Sequence, residues 1–243
     1  MQISNRLTAL LLSAPIWSVL AQSTGDLHAF VALRAAHIGA LTPLMTPAMI
    51  SRRLNGAQLG IRYGLLDEGG VRTNAIAGSG IFAAGTESSA TVTAGVTDAN
   101  CNGCTPALLL GVGGDTRLYE SSESLAGGTG LTVALSGDLG YAQLKPSDDY
   151  AIALGVGAPV TVSLGSTQGM RLAVYGTPVF GIGETSTPCP LGSCDKSGVR
   201  WVLGGGIGAW NPTTNISASV GVNQVMLSGA KPVYGINVVI GGK

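Results

Sequence analysis

The residues best suited to metal or redox chemistry stand in two close pairs, Cys101 with Cys104 and Cys189 with Cys194. The run Cys101-Asn102-Gly103-Cys104 has the spacing of a redox dithiol or of half a zinc site, since two thiolates so placed can share a disulfide or one tetrahedral ion. Neither reading has the context it needs. No βαβ pattern surrounds the run, and the only histidines, His28 and His37, lie far upstream. Both pairs fall in segments rich in Pro, Gly and Asn. In an oxidising compartment they therefore read as disulfide staples of loops, with three pairings open to four cysteines. No metal site is expected.

Other chemistry finds even less support. The run Gly204-Gly205-Gly206-Ile207-Gly208-Ala209 superficially fits a dinucleotide fingerprint, but Trp210-Asn211-Pro212 follows at once, which is a turn into a strand and not the start of a helix. No GKS or GKT sequence and no Gly-x-Ser-x-Gly elbow occurs. Asp115 and Asp138 are the one carboxylate pair worth weighing for acid–base work. With no histidine near them, they read as partners for Arg62, Arg117, Arg171 and Arg200, because buried charges need counter-charges. Asp67, Glu68, Asp148 and Asp149 fall in turns and read as solvated. No enzyme activity and no cofactor is expected.

Those charges need strands to position them. The 243-residue chain carries 38 glycines, 11% charged residues, zero formal net charge and a mean hydropathy of +0.38. A neutral, dispersed composition argues against a nucleic-acid partner. Residues 1–21 read as a cleaved secretory signal, with Arg6 ahead of the apolar run Leu7 to Val19 and a small-x-small site at Val19-Leu20-Ala21. Residues 22–55 form an extension in which Leu27, Phe30, Val31 and Arg34 allow a short amphipathic helix ahead of Pro43 and Pro47. The extension would plug a lumen, lie on the periplasmic side or stay unordered.

From Gly56 onward, stretches of about ten residues alternate large apolar side chains with small or polar ones, separated by turn residues. In the clearest case Leu131, Val133, Leu135, Leu139 and Tyr141 share one face, and Thr132, Ala134, Ser136, Asp138 and Gly140 the other. The pattern predicts about ten strands, at 56–66, 71–82, 89–97, 107–118, 130–142, 149–165, 169–183, 198–210, 215–227 and 232–241. The sixth is one long strand or two broken at Pro159. The fold class is all-β: a single antiparallel up-and-down transmembrane barrel over residues 56–243, of about ten strands within a range of roughly 8–12. Charge placement gives this barrel its orientation. Arg62, Asp115, Arg117, Asp138, Arg171 and Arg200 fall on the small-residue face, and Arg72 is assigned there too, with Asn74. A strand crossing lipid can keep ions only on its inward face.

The pattern resembles the bacterial outer-membrane β-barrel superfamily of small single-chain barrels over most of residues 56–243. The signal peptide, RLAVYGTPVFGIG from Arg171, VLGGGIGAWNP from Val202 and PVYGINVVIGG from Pro232 carry the resemblance. It implies the cell outer membrane as location, with outer-membrane lipid and the barrel assembly machinery as partners. Barrels of this kind usually end on an aromatic residue, whereas this chain ends Ile240-Gly241-Gly242-Lys243. Trp201, Trp210, Tyr119, Tyr141, Tyr150, Tyr175 and Tyr234 are available for an interfacial belt, and some, Tyr175 above all, would fill the lumen instead. The function expected is structural or interactive, with a lumen mostly filled by Arg and Asp. A narrow passive channel with weak anion preference and an exported soluble ligand-binding barrel are the alternatives.

Overall fold

Alternation at period two leaves each strand with one face of small residues and one of large, and a sheet built from such strands curls toward the small face until its edges meet. The structure, a computed structural model, describes residues 57–68, 71–100, 105–121, 129–144, 149–165, 169–189, 192–211, 213–226 and 231–241. The signal at 1–21 and the extension at 22–55 lie outside them. The strands are β1 (Ala57–Glu68), β2 (Val71–Ala83), β3 (Ser88–Ala99), β4 (Ala107–Glu120), β5 (Gly130–Leu144), β6 (Asp149–Gly157), β7 (Val160–Gly165), β8 (Arg171–Cys189), β9 (Gly192–Asn211), β10 (Ile216–Val225) and β11 (Val233–Gly241).

All pairings are antiparallel. The first and last strands close the ring, with Gln58 opposite Gly241 and Leu66 opposite Val233. β6 and β7 lie end to end as a single stave, since β5 and β8 each pair with both. The result is a closed barrel of ten staves. Both ends of the described chain, Ala57 and Gly241, lie at one end of it, here the terminal end. The last residues of β3 and β8 and the first of β4 and β9 lie at the other, the far end.

Pro159 explains why the sixth stave is two strands. It has no N–H to give to the ladder, and the regular pairing lapses at Ala158-Pro159. The alternation does not lapse, because Gly157, Pro159 and Thr161 all stay buried on the inner side. Backbone bonds bridge the gap: Ala134 N donates to Pro159 O at 2.9 Å, and Ala158 N donates to Pro178 O at 3.1 Å.

Outside, the barrel is apolar on every stave. Leu59, Val92, Leu139, Leu154, Ile207 and Ile236 stand exposed on six different strands. Aromatic side chains gather on the outer face toward the far end, with Tyr141 stacked on Tyr150 at 6.3 Å and Phe180 edge-on to Trp201 at 5.2 Å. Among the described residues no helix is long and apolar enough to cross a membrane, a fact without bearing on crossing by strands.

The turn from β9 to β10 is held by two asparagines. Asn211 Oδ1 accepts from Thr213 N at 2.9 Å and from Thr214 N at 3.4 Å, and Asn215 adopts a left-handed φ of 54° before its carbonyl accepts from Gly241 N. Asn tolerates that region, and a β-branched residue does not. Replacing Asn215 by Val is therefore expected to cost about 1–2 kcal/mol in denaturant unfolding, while Asn215→Gly stays near the parent; equal stability for the two variants would contradict this account of the turn.

Candidate functional site

The inward face of the barrel is the one surface where polar and ionic side chains converge. Its middle is charged. Arg62 points in from β1, Asp115 from β4 and Asp138 from β5. Arg62 and Asp138 act on each other electrostatically, as do Asp138 and Asp115. Since β1 and β5 are four steps apart in a ring of ten, the guanidinium and the carboxylate face one another across the lumen and not along the wall. Ser89 donates its hydroxyl to Asp115 from the neighbouring strand. The carboxylate of Asp138 lies over Gly113, where a Cβ would run into it.

Toward the terminal end the lumen holds two more arginines. Arg117, its side chain buried, lies between Glu87 at 3.3 Å and Glu120. Arg171 sits over the Trp210 ring at 5.9 Å, and Trp210 packs against Ala173 and Tyr175. Tyr175 is buried, with its hydroxyl 3.4 Å from Val220 O. Its ring needs the glycines of the facing strands, because a Cβ on Gly206 or Gly221 would collide with that hydroxyl. The glycine run of β9 is thus a groove for a tyrosine, paired on both sides by β8 and β10.

A third zone lies toward the far end and is richer in apolar side chains, with Thr73, Thr97 and Asn223 among them. Val179, Val202 and Val225 stand in one row across β8, β9 and β10, and Leu66 stands opposite Val233 with Ala75 beside it. Ala107, Leu109, Ala142 and Ala151 take the same inner face on β4, β5 and β6, and all are buried.

One expected lumen charge lies elsewhere. Arg72 is on the outer face, exposed, at 3.5 Å from Asp67, its cross-strand partner near the β1–β2 turn. The register to β1 decides this, because Arg62 pairs with Ala77 and Leu66 with Thr73, which turns the odd-numbered residues of β2 inward. Small residues occupy both faces of β2, so its sequence alone left the choice open. Asn74 goes with Arg72, and accepts from the Tyr63 hydroxyl at 2.8 Å. Trp210 likewise faces the lumen, and so does not belong to an outer belt. The anion preference rested on an excess of inward arginines. With Arg72 outside and Arg117 held by two glutamates, two aspartates face one arginine in the middle of the lumen among the described side chains.

Arg200 pairs with Gly181 in the β8–β9 ladder, and its side chain lies outside the described residues. Cys101 and Cys104 also lie outside them, while Cys189 and Cys194 are placed by backbone register on the facing strands of the β8–β9 hairpin, opposite Gly192 and Thr187. No group of three or more His, Cys, Asp or Glu able to hold a metal comes together among the described residues.

No protein-family model matches the chain, and no curated protein matches it. Among solved structures it is similar to the translocator domain of autotransporter NalP from Neisseria meningitidis. The identity is 13% and the TM-score 0.42, with 90% of this chain and 95% of that one covered.

Sequence reasoning missed the apolar zone. Leu66, Val179, Val202 and Val225 share the parity of the small-residue face, and the signal was present in that parity, but attention to the charges hid it. Several buried polar atoms, among them Gln58 Oε1, Arg62 Nε, Asn223 Oδ1 and Asn237 Oδ1, have no hydrogen-bond partner among the described residues. Leaving such atoms dry costs about 1–3 kcal/mol each, so the lumen is one that internal water hydrates along its length. A double-mutant cycle with Arg62→Gln and Asp138→Asn is expected to show a coupling above about 0.5 kcal/mol in unfolding; additive losses would mean that the two charges do not sense one another.

Proposed function

We propose that this chain is an outer-membrane β-barrel of structural or interaction type, exported through its leader, inserted by the barrel assembly machinery and held closed by a filled lumen. The observation that carries the reading is the outer face. Large apolar side chains are exposed on all ten staves, from Leu59 on β1 to Ile240 on β11. Soluble monomers rarely expose contiguous apolar patches beyond a few hundred Å², and here the patch encircles the molecule. Among the strand residues whose side chains are described, the ionic ones on the outer face are Asp67, Arg72 and Asp98, all near strand ends at the far end. Lipid around the middle of the barrel accounts for both facts. Cys189 and Cys194 belong to this reading as a staple of the β8–β9 hairpin at the far end.

The filled interior supports a structural barrel over a pore. A wide channel would leave its lining accessible, yet Arg62, Asp115, Tyr175 and Asn237 are each at most 9% exposed. Two measurements test the proposal. The protein is expected in the outer-membrane fraction as a heat-modifiable band that needs detergent for release, and recovery in the aqueous phase without detergent would replace the membrane reading with a soluble carrier. Leu139, midway along β5 and outward, is the second handle. Leu139→Lys should destabilise the barrel refolded in phospholipid vesicles by about 2–4 kcal/mol, measured by denaturant titration, whereas a loss within about 0.5 kcal/mol would match an ordinary water-exposed site.

A further inference from the structure

The β8–β9 hairpin outgrows the barrel at its far end. β10 ends at Val225, opposite Val202, and one further bond, from Met226 N to Trp201 O at 2.8 Å, finishes that ladder. β9 runs on without it. The nine residues Gly192–Arg200 are paired to β8 on one side and, among the described residues, to no strand on the other. The connection from β10 to β11 is too short to cover them. It has seven residues, 226–232, and can follow β9 for about three before it must turn back. The residues before Ala57 start from the opposite end of the barrel.

The backbone groups on this edge can be named. A strand residue turns its N–H and C=O to one side, and successive residues alternate. Since Trp201 O bonds toward β10, the N–H and C=O of Ser193, Asp195 and Ser197 point to the open side, and those of Cys194, Lys196 and Gly198 to β8. The other edge of the ribbon is different. β6 follows β8 as far as Thr185, and Pro188 just beyond has no N–H to offer. Gly192–Arg200 contains no proline, consists largely of glycine and serine, and sets Asp195 beside Lys196, which leaves its outer part neutral. Proteins ordinarily blunt such edges, because an open one templates pairing with another chain.

We propose that the β9 edge at Ser193, Asp195 and Ser197 is a strand-addition site, which takes an extended segment of another protein by main-chain hydrogen bonds. The choice of partner rests on the membrane reading above. Two copies in one membrane share the direction of their axes, so a two-fold axis along the membrane normal brings their β9 edges together parallel and, each tilted by about 35–45°, crossed. That arrangement makes no ladder. A segment of another chain, in the water beyond the outer aromatic pair Phe180–Trp201, has no such restriction. Main-chain pairing to a neutral edge is tolerant of sequence and insensitive to salt.

The test uses the full barrel in phospholipid nanodiscs and, as probe, a fluorescent peptide of alternating valine and threonine. Hydrogen exchange of the barrel alone is expected to find the amides of Asp195 and Ser197 open and those of Lys196 and Gly198 protected by β8. Protection of all four means that the edge is already covered, and overturns the inference. The probe is expected to bind saturably, equally well in high salt, and to protect Asp195 and Ser197. Its fully N-methylated counterpart, equally apolar but without donors, is expected not to bind. Ser197→Pro removes an N–H on the open side and no bond to β8, so it should weaken the probe at least about fivefold. Should that variant lose its hairpin, the exchange pattern and the N-methylated probe decide on the parent. A parent that ignores the probe, or binding that survives N-methylation, overturns the site, and two barrels in one disc that protect each other's Ser197 overturn the choice of partner. Recovery of the protein from the aqueous phase without detergent defeats the membrane reading and leaves the edge standing, which separates the two failures.

Discussion

Everything in this molecule depends on the seam between β1 and β11. Nine residue pairs, from Gln58–Gly241 to Leu66–Val233, join the start of the described chain to its end, and no turn helps them meet. Once this seam forms, no strand has a free long edge in the wall, so every strand must present one face to an enclosed volume and one to the surroundings. The seam also fixes rotation. It places Arg62 opposite Asn237 on the inner side and Ile61 opposite Val238 on the outer, and the register of each later strand inherits that choice. A slip of one residue anywhere would turn a whole strand inside out.

Much of this was legible in the sequence, because the period-two pattern acts locally and needs no tertiary knowledge. The strand at Leu131 to Tyr141 has its faces as its composition dictates, with Leu139 out and Asp138 in. β2 shows the limit. Its large apolar residues divide evenly, Val71 and Ile81 on one face and Ile76 and Phe82 on the other, so the facing of Arg72 is decided by bonds to β1 that a single strand's sequence does not contain. Pro159 marks the same boundary from the other side. A proline announces a broken ladder, but only the neighbours reveal that the stave continues through it.

The lumen was harder to read than the wall. That the charges lie inside follows from parity, but which charges face each other follows from the ring, and Arg62 meets Asp138 only because four staves carry it round to the opposite side. Zonation along the axis was hidden for a related reason. Val179 and Val225 lie far apart in the chain, and their alignment in one row requires the staggers of two ladders. Tyr175 and its glycine groove depend on the same staggers, since Gly206 and Gly221 face it from two further strands.

Pro159 and Pro178 sit on neighbouring staves, and each brings the ladder a carbonyl without an N–H. In hydrocarbon no water repairs such an omission. The wall is consequently not of uniform strength around its circumference. β1 to β5 form one tightly laced panel and β8 to β11 another, and they are joined by a stave with fewer lacings at its centre. Mechanically the barrel has a grain: in the membrane setting proposed above, lateral strain would concentrate along the line through Ala158, far from the β1–β11 seam, so the place where the ring is completed would not be the place where it yields first.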